Sequence, residues 1–365
     1  MKKKKIILGM SGGIDSSVSA WILKEQGYEV IGLFMNNWND NKKKNNFCNN
    51  KKDLIDAISI ADIIGINIKI VNFSKEYKKY IFSNFIKEYK KGNTPNPDIT
   101  CNSIIKFNFF LNYANSILKT NLIATGHYAR IKKTLKGKYK LLKAKDLNKD
   151  QSYFLYRLNQ KQLSKSIFPI GNFYKTKIKE IAKKLKFPNV NKKNSTGICF
   201  IGKRPFRKFL NNYINYNPGP IKTTSGITIS KHIGLSFYTI GQRKGIGIGG
   251  IKKNIYIKKK NTPWYVAKKN IKKNILYVVQ GHNHPWLLSY KIIIYKTHWI
   301  SGKAPKNFSI LKAKIRYRQK DSKCIIYYYN KLYILYFIEP QWGAAKGQSI
   351  VLYNKNICLG GGIIK

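Results

Sequence analysis

The chain has 365 residues, which is too long for one ordinary hydrophobic core and predicts two or three domains. Its 70 lysines and arginines outnumber 15 acidic residues, and the formal charge of +55 attracts polyanions. Lysine, asparagine, isoleucine and tyrosine, which have A/T-rich codons, are abundant together. Codon drift therefore explains much of this charge, and charge alone does not establish nucleic-acid binding. The sequence has neither an apolar run near the ~20 residues of a membrane span nor a signal or transit peptide pattern, so we expect a cytoplasmic protein with no membrane partner.

The cysteines are odd in number and widely spaced, and none lies in a Cys-x-x-Cys pair. This pattern argues against a disulfide framework and against a conventional zinc site. His282 and His284 have metal-ligand spacing but no evident third ligand, so we interpret them as part of a solvated turn, and we expect no structural metal. The five cysteines are Cys48, Cys101, Cys199, Cys324 and Cys358. We interpret Cys48, Cys324 and Cys358 as spectators, the last two in strands.

The first predicted element is a strand at Ile6–Leu8, followed by Ser11-Gly12-Gly13-Ile14-Asp15-Ser16 and a helical pattern. Glycines at such a turn let the backbone approach an anion, and the first N–H groups of the helix point at it. The turn therefore predicts phosphate binding, with a purely structural turn as the alternative. It lacks the Gly-Lys-Ser/Thr ending of Walker A and the Gly-x-Gly-x-x-Gly of dinucleotide folds. It resembles the pyrophosphate loop of adenylate-forming enzymes.

Further short apolar runs alternate with helical patterns up to about Gly126, which is typical of a parallel sheet covered by helices. The predicted strands are Val30–Phe34, Ile68–Phe73 and Leu122–Thr125. Ligands of such sheets bind outside the carboxyl ends of the strands, which places the glycine turn, Met35 and Gly126-His127 at one edge. Glycines follow the helical patterns at Gly27, Gly65 and Gly92, where a left-handed cap is expected.

Two cysteines are candidates for chemistry. Cys101 lies in Thr94–Asn102, where two prolines predict a fixed, exposed, non-helical loop, and Asp98 stands three residues before the thiol. Such a thiol is a candidate nucleophile, with a chance surface cysteine as the alternative. Cys199 lies in a second turn, Ser195–Gly202. If the two meet, the pair can cycle through a persulfide and a disulfide, which is sulfur-transfer chemistry.

The residue pattern changes along the rest of the chain. Helical patterns at Gln151–Leu158 and Lys175–Leu185 end the first part. Beyond Pro205 a glycine-dense stretch predicts a small β-rich domain, and from Ile275 tyrosine-rich and β-branched runs predict a closed antiparallel barrel. The predicted domains are therefore 1–205, 206–274 and 275–365. The glycines of the dense stretch are Gly241, Gly245, Gly247, Gly249 and Gly250.

The whole chain resembles the bacterial tRNA-specific 2-thiouridylases, a family of pyrophosphate-loop ATPases. The matching stretches are Gly9–Ser17, Glu88–Phe107, Ala124–Tyr128, Asn148–Tyr156, Lys193–Gly202, Tyr238–Gly250, Arg316–Gln319, Gly347–Tyr353 and Cys358–Ile364. The resemblance implies a Rossmann-like N-terminal ATP-binding domain, a small β-rich tRNA-binding domain and a C-terminal β-barrel. The chain departs from the family pattern at Pro340–Lys346 and in the tyrosine-rich Ile325–Ile338.

The same resemblance implies roles for individual residues. Cys101 would be the nucleophile and Cys199 the persulfide carrier, the two forming a catalytic disulfide, with Asp98 as a further catalytic residue. The implied ATP-binding residues are Gly9, Met10, Ser11, Gly12, Gly13, Ile14, Asp15, Ser16, Met35 and Gly126. Asn96, Pro97 and Asp98 would contact the target base, and His127 and Gln348 would affect tRNA selectivity or activity. The implied tRNA contacts are Lys149, Asp150, Gln151, Arg316 and Tyr317.

The implied reaction is sulfur transfer to the wobble uridine of tRNA. Oxygen at C2 of uracil is a poor leaving group, so ATP with Mg²⁺ would first adenylate it, and persulfide sulfur would then displace AMP. The expected partners are tRNAs for lysine, glutamate and glutamine, and a cysteine desulfurase or a relay protein as sulfur donor. The rivals are another pyrophosphate-loop enzyme that adenylates a different tRNA base or a metabolite, and a catalytically silent RNA-binding protein.

Overall fold

The structure is a computed structural model that describes residues 3–38, 49–192, 205–248 and 262–365. Four sequence predictions lie outside the described residues: Cys48, Cys199 with its turn Ser195–Gly202, and the glycines Gly249 and Gly250. Within the described parts of the chain, no helix is long and apolar enough to cross a membrane.

The N-terminal domain has a five-stranded parallel sheet. Its strands are β1 (Lys5–Met10), β2 (Glu29–Asn36), β3 (Asn67–Asn72), β4 (Ile123–Thr125) and β7 (Ser166–Ile167). Their order is β3-β2-β1-β4-β7, and every neighbouring pair is parallel. The four strands expected from the sequence are confirmed. The edge strand β7 is not predicted by the sequence, because two residues are too few to show a pattern.

Helices cover this sheet and continue beyond it. They are α1 (Ile14–Glu25), α2 (Asn49–Ile64), α3 (Ser74–Tyr77), α4 (Ser83–Lys90), α5 (Pro97–Cys101), α6 (Phe110–Ser116), α7 (Ser152–Leu155), α8 (Gln160–Ser164), α9 (Lys175–Lys184) and α10 (Phe206–Asn211). Wider π-helical turns join α3 to α4 at Lys78–Phe82 and α5 to α6 at Asn102–Phe109. Short 3₁₀ turns lie at Leu235–Phe237 and Pro285–Leu287.

The helix predictions are partly right. The glycines after α1, α2 and α4 have positive φ, as expected for left-handed caps, and α9 confirms the pattern at Lys175–Leu185. The predicted helix at Gln151–Leu158 is too long, because only Ser152–Leu155 is helical. The neighbouring Gln151 instead forms two hydrogen bonds with Tyr128. The Gln151 N–H donates to the Tyr128 carbonyl, and the Tyr128 N–H donates to Gln151 Oε1.

The central domain has a four-stranded sheet of order β10-β11-β8-β9. Its strands are β8 (Gly219–Lys222), β9 (Thr228–His232), β10 (Trp264–Asn270) and β11 (Ile275–Gln280). The position of β11 corrects the expectation that the barrel begins at Ile275. This strand pairs with β10 and β8, and its apolar residues Ile275, Leu276, Val278 and Val279 are buried there.

The C-terminal domain is a closed antiparallel barrel of six strands, as predicted. They are β12 (Leu288–Trp299), β13 (Ile310–Lys314), β14 (Ser322–Tyr329), β15 (Leu332–Trp342), β16 (Ser349–Asn354) and β17 (Ile357–Ile364), and pairing of β12 with β17 closes the ring. Cys324 and Cys358 lie in β14 and β17, as expected. A hairpin from the N-terminal part, β5 (Ala129–Lys133) and β6 (Tyr139–Lys143), pairs with β17 and ties the two domains together.

Candidate active site

The glycine turn joins β1 to α1 at the carboxyl edge of the parallel sheet, as the sequence predicts. Ser16 braces it, because its Oγ donates to the Gly13 carbonyl (2.9 Å) and accepts from the Ser11 N–H (3.2 Å). Gly13 is the N-cap of α1, with extended backbone and no side chain to satisfy the first helical N–H groups. The turn thus leaves helix N–H groups open to an external acceptor.

Two glycines of this edge admit no side chain. Gly12 has φ +67°, and a Cβ there would collide with the backbone carbonyl of Asp53 in α2. A Cβ at Gly126 would lie 2.9 Å from backbone atoms of Asp15 and Ser16. The segment after β4 therefore packs directly on the start of α1, which only glycine allows.

The predicted ATP-binding residues lie together around this turn. Gly9 pairs with Thr125 across β1 and β4, and a Cβ at Gly9 would lie 3.3 Å from the end of the Met35 side chain. Gly126 packs on the start of α1, as described above. The fold therefore brings the predicted ATP-binding residues together around the glycine turn.

The Asp15 carboxylate is engaged on one oxygen by two groups. Lys175 Nζ lies 2.6 Å from its Oδ1, and the Tyr128 hydroxyl donates to the same atom (2.7 Å). Lys175 is itself buried, at 8 % exposure. Neither partner is predicted from the sequence, and no local signal points to Lys175, because its contact with Asp15 forms only in the folded chain.

The prediction that Cys101 lies in an exposed loop is wrong. Instead of an exposed non-helical loop, Pro97–Cys101 is the helix α5, and Cys101 is 3 % exposed. The prolines do not forbid the helix, because Pro97 occupies its first turn, where no backbone N–H is needed. Asn96 is the N-cap, and its side chain accepts from the N–H groups of Asp98 (3.2 Å) and Ile99 (3.4 Å).

Asp98 and His127 share one electrostatic environment. Burial raises the pKa of Asp98, and the nearby Lys106 ammonium opposes that rise. Burial lowers the pKa of His127 well below its usual value, and Lys106 lowers it further, so the ring is neutral at physiological pH. His127 Nδ1 lies 2.7 Å from Thr125 Oγ1, and its ring packs between Phe107 and Phe168.

Asn102, the residue after Cys101, connects α5 to the segment 151–154. Its Nδ2 donates to the Phe154 carbonyl (3.1 Å), and the Phe154 ring packs 4.4 Å from that of Tyr317. Asn102 is 3 % exposed, and its Oδ1 has no hydrogen-bond partner among the described residues. Tyr317, a predicted tRNA contact, is therefore close to the Cys101 helix although it belongs to the barrel domain.

All three domains meet on the segment that leads into α5. The Thr94 N–H donates to the carbonyl of Lys346 in the barrel domain (2.8 Å), and Thr94 Oγ1 lies 3.3 Å from the hydroxyl of Thr239 in the central domain. Gly347 packs so closely that a Cβ there would lie 2.8 Å from that of Asn93. Gln348, predicted to affect activity, directly follows this contact.

The remaining predicted tRNA contacts differ in exposure. Lys149 is half-buried, whereas Asp150 is 2 % exposed and accepts from the N–H groups of Ala144 and Ser152. Arg316 lies between two domains, where it donates to the carbonyls of Ile240 (2.8 Å) and Gly343 (2.6 Å). Asp150 and Arg316 thus have internal partners in this structure, and their contacts with tRNA stay predictions.

The histidines with metal-like spacing make other contacts. The His282 ring stacks on Trp342 with centroids 4.6 Å apart, and His284 Nδ1 accepts from the Trp286 N–H (3.1 Å). Across the four described ranges, no group of three or more His, Cys, Asp or Glu side chains could hold a metal ion.

Comparisons with known proteins agree with this architecture. Residues 4–203 match the family described as tRNA methyl transferase HUP domain, residues 207–280 its PRC-barrel domain and residues 289–364 an aminomethyltransferase beta-barrel domain. The chain is 53% identical to the tRNA-specific 2-thiouridylase MnmA of Janthinobacterium sp. (strain Marseille), and 52% to that of Cupriavidus metallidurans. Both alignments cover 100% of this chain, and 98% and 100% of the relatives.

Among solved structures, one described as a 4-thiouridine synthetase–RNA complex with bound ATP matches with a TM-score of 0.35 and 17% identity. It covers 57% of this chain and 50% of that one, which is too distant a likeness to bear on function. The fold and the site together define a protein with an α/β HUP domain followed by two β domains. The full-length identity goes further: the chain belongs to the family of tRNA-specific 2-thiouridylases.

Proposed function

We propose that this protein is a tRNA-uridine 2-sulfurtransferase, which uses ATP to replace the C2 oxygen of the wobble uridine with sulfur. The observation that carries the proposal is the identity of 53% along the whole chain to proteins of that name. The described geometry fits, because a glycine turn suited to phosphate and a buried cysteine in a capped helix lie in one domain.

The first step joins uracil to AMP. The glycine turn and the N-terminus of α1 bind the phosphates of ATP, which arrives with Mg²⁺ as part of the substrate. Uracil O2 attacks the α-phosphorus, pyrophosphate leaves, and the N3 proton of the base is lost. Asp98 supports this step by placing the base or taking the proton, since burial raises the pKa of its carboxyl toward the range of a useful base.

Sulfur transfer follows in two displacements. The terminal sulfur of a persulfide on Cys199 attacks C2 of the adenylated base, and AMP leaves. The Cys101 thiolate then attacks the Cys199 sulfur, which releases 2-thiouridine and leaves a disulfide between the two cysteines. Alternatively, Cys101 attacks the persulfide first and frees hydrosulfide, which attacks C2. Both routes end in the same disulfide, which an external thiol must reduce.

The partners follow from this chemistry. We propose that the substrates are tRNAs for lysine, glutamate and glutamine, held through Lys149, Gln151 and Tyr317 among others. We also propose that a cysteine desulfurase or a relay protein supplies the persulfide sulfur. The strong positive charge supports RNA as the partner but does not select one RNA.

The test has a cellular and a purified arm. Nucleosides from tRNA of a strain lacking this gene should contain no wobble 2-thiouridine, and the purified protein with ATP, tRNA and a persulfide donor should restore it. Formation of AMP and pyrophosphate in amounts equal to 2-thiouridine is expected. A purified, folded protein that modifies no tRNA under these conditions would refute the proposal.

A further inference from the structure

The carbonyl oxygen of Gly12 accepts hydrogen bonds from two side chains far along the chain. Asn189 Nδ2 lies 3.2 Å from it and Lys192 Nζ lies 2.9 Å from it. Asn189 is 3 % exposed, and the same Nδ2 donates to Ser17 Oγ (2.9 Å). One carbonyl of the glycine turn is thus anchored twice by the segment that follows α9.

Lys192 is firmly placed by carboxylates of α2. Its Nζ lies 2.7 Å from Asp53 Oδ1 and 2.5 Å from Asp56 Oδ2, in addition to the bond with Gly12. An ammonium group has three protons, so these three acceptors use all of them. Burial lowers the pKa of Lys192, but the two carboxylates outweigh burial and raise it, so the group stays charged. Its charge is therefore balanced by the two carboxylates.

The anchored carbonyl fixes the direction of the next N–H group. In a trans peptide the C=O of one residue and the N–H of the next point to opposite sides of the backbone, and the described chain has no cis peptide bonds. The Gly13 N–H therefore points away from Lys192. Peptides between glycines rotate with little steric cost, and a rotated one would present a partly negative oxygen to an anion.

We propose that Lys192 and Asn189 are positioning residues that hold the Gly12–Gly13 peptide so that the Gly13 N–H faces the phosphates of ATP. The inference rests on the proposed function, in which this turn binds ATP. Loss of an anchor lets the peptide populate the rotated state, which reduces apparent ATP affinity by the fraction of time spent there. Bound ATP selects the productive orientation, so the rate at saturation is preserved.

The experiment compares Lys192→Met and Asn189→Leu with the unaltered full-length protein. We expect the Kd and KM for ATP to rise about tenfold in each variant, with kcat of tRNA-dependent pyrophosphate release changing less than twofold. Since both anchors hold one carbonyl, the double variant should lose less than the product of the single losses. Lys192→Arg, which keeps a charged donor, should retain most of the affinity.

Two controls separate positioning from general damage. Adenosine has no phosphates, so its affinity should be the same in Lys192→Met and the unaltered protein. Lys177→Met removes an exposed lysine of α9 that pairs with Glu180, and it should change nothing. ATP binding that Lys192→Met does not weaken, or equal losses for adenosine and ATP, would overturn this inference alone. Failure of the unaltered protein to bind ATP would overturn the proposed function as well.

Discussion

The glycine turn and the Cys101 helix lie in the same domain but are held differently. Ser16 braces Gly13 and Ser11 locally, and the distant anchors of the turn, Asn189 and Lys192, belong to the same domain. The helix α5 has a local N-cap, but the segment before it is fixed by Lys346 and Thr239 from two other domains. The turn is therefore complete within the N-terminal domain, whereas the cysteine depends on how all three domains assemble. This difference predicts that damage to the two regions will separate ATP binding from sulfur transfer.

The largest effect is expected at the cysteine. Cys101→Ser should reduce multiple-turnover thiolation by about 1,000-fold or more, because serine cannot resolve a persulfide, yet adenylation of tRNA should continue. Cys199→Ser should adenylate but carry no sulfur. Persulfide detection by mass spectrometry and AMP release measure the two steps. Cys358→Ser is the matched control, because that thiol is also buried but lies in β17. Repeated turnover by either catalytic variant would contradict the assignment.

The second largest effect is expected on ATP affinity. Gly12→Ala places a side chain at φ +67° and against the Asp53 backbone, so ATP affinity should drop roughly 10–100-fold. Gly13 has φ −99° and space for a Cβ, so Gly13→Ala should lose far less. Gly27→Ala controls for strain, since Gly27 has φ +83° and no atom of the described residues lies within 4 Å of its Cβ position. Calorimetric titration with ATP measures the affinities, and equal losses at Gly12 and Gly27 would remove the contact with α2 from the explanation.

The comparison also explains what could be predicted from the sequence. The glycine turn, four parallel strands and the closed barrel follow from local patterns. Met35 and Gly126 lie at the predicted edge of the sheet, because the carboxyl ends of parallel strands meet there. The burial of Cys101 was missed, since it depends on packing that no local pattern shows. Proline spacing suggested a loop, but Asn96 caps a helix that begins at Pro97. Lys175 and Lys192 were missed because their partners are more than 130 residues away.

A third prediction concerns a half-buried lysine at the domain junction. Lys269 of the central domain donates to the Gly92 carbonyl (2.8 Å), and burial lowers its pKa to about 8 from the ordinary 10.5. Between these values the unfolded chain binds more protons than the folded one, so this lysine makes stability rise with pH. Lys269 should raise the unfolding free energy by about 1–3 kcal/mol from pH 7 to pH 10.5. Lys269→Met should abolish that contribution. Denaturant titrations at both pH values measure it.

The exposed neighbour Lys268 provides the control for that measurement, because Lys268→Met alters charge without altering the junction. Its unfolding free energy should follow the unaltered protein at every pH. If Lys269→Met and Lys268→Met showed the same pH dependence, the lowered pKa of Lys269 would have no measurable influence on stability.

A fourth prediction tests whether the barrel domain positions Cys101. Gly347→Ala places a Cβ 2.8 Å from Asn93 at φ +87°, which should displace the segment leading into α5. Thiolation should slow about tenfold while ATP affinity stays unchanged. Gly302→Ala is the matched control, since that barrel glycine has φ +77° and its Cβ position has no neighbour within 4 Å in the part of the chain that the structure describes. Equal slowing in both variants would mean that backbone strain in the barrel, and not its contact with Asn93, controls the rate.

The smallest effect is expected where tRNA meets the surface. Lys149 is half-buried while its neighbour Asp150 is held internally, so Lys149 is the residue of this segment suited to a phosphate contact. Lys149→Gln should weaken tRNA binding about threefold and reduce the slope of log affinity against log salt by about 0.7–0.9, the value for one phosphate. Lys184→Gln, an exposed lysine of α9, should leave the slope unchanged. Titrations across 50–200 mM salt, with tRNA and an unrelated RNA duplex, make the measurement. An unchanged slope in Lys149→Gln would remove this contact, and equal affinity for the two RNAs would assign binding to the overall charge of the chain.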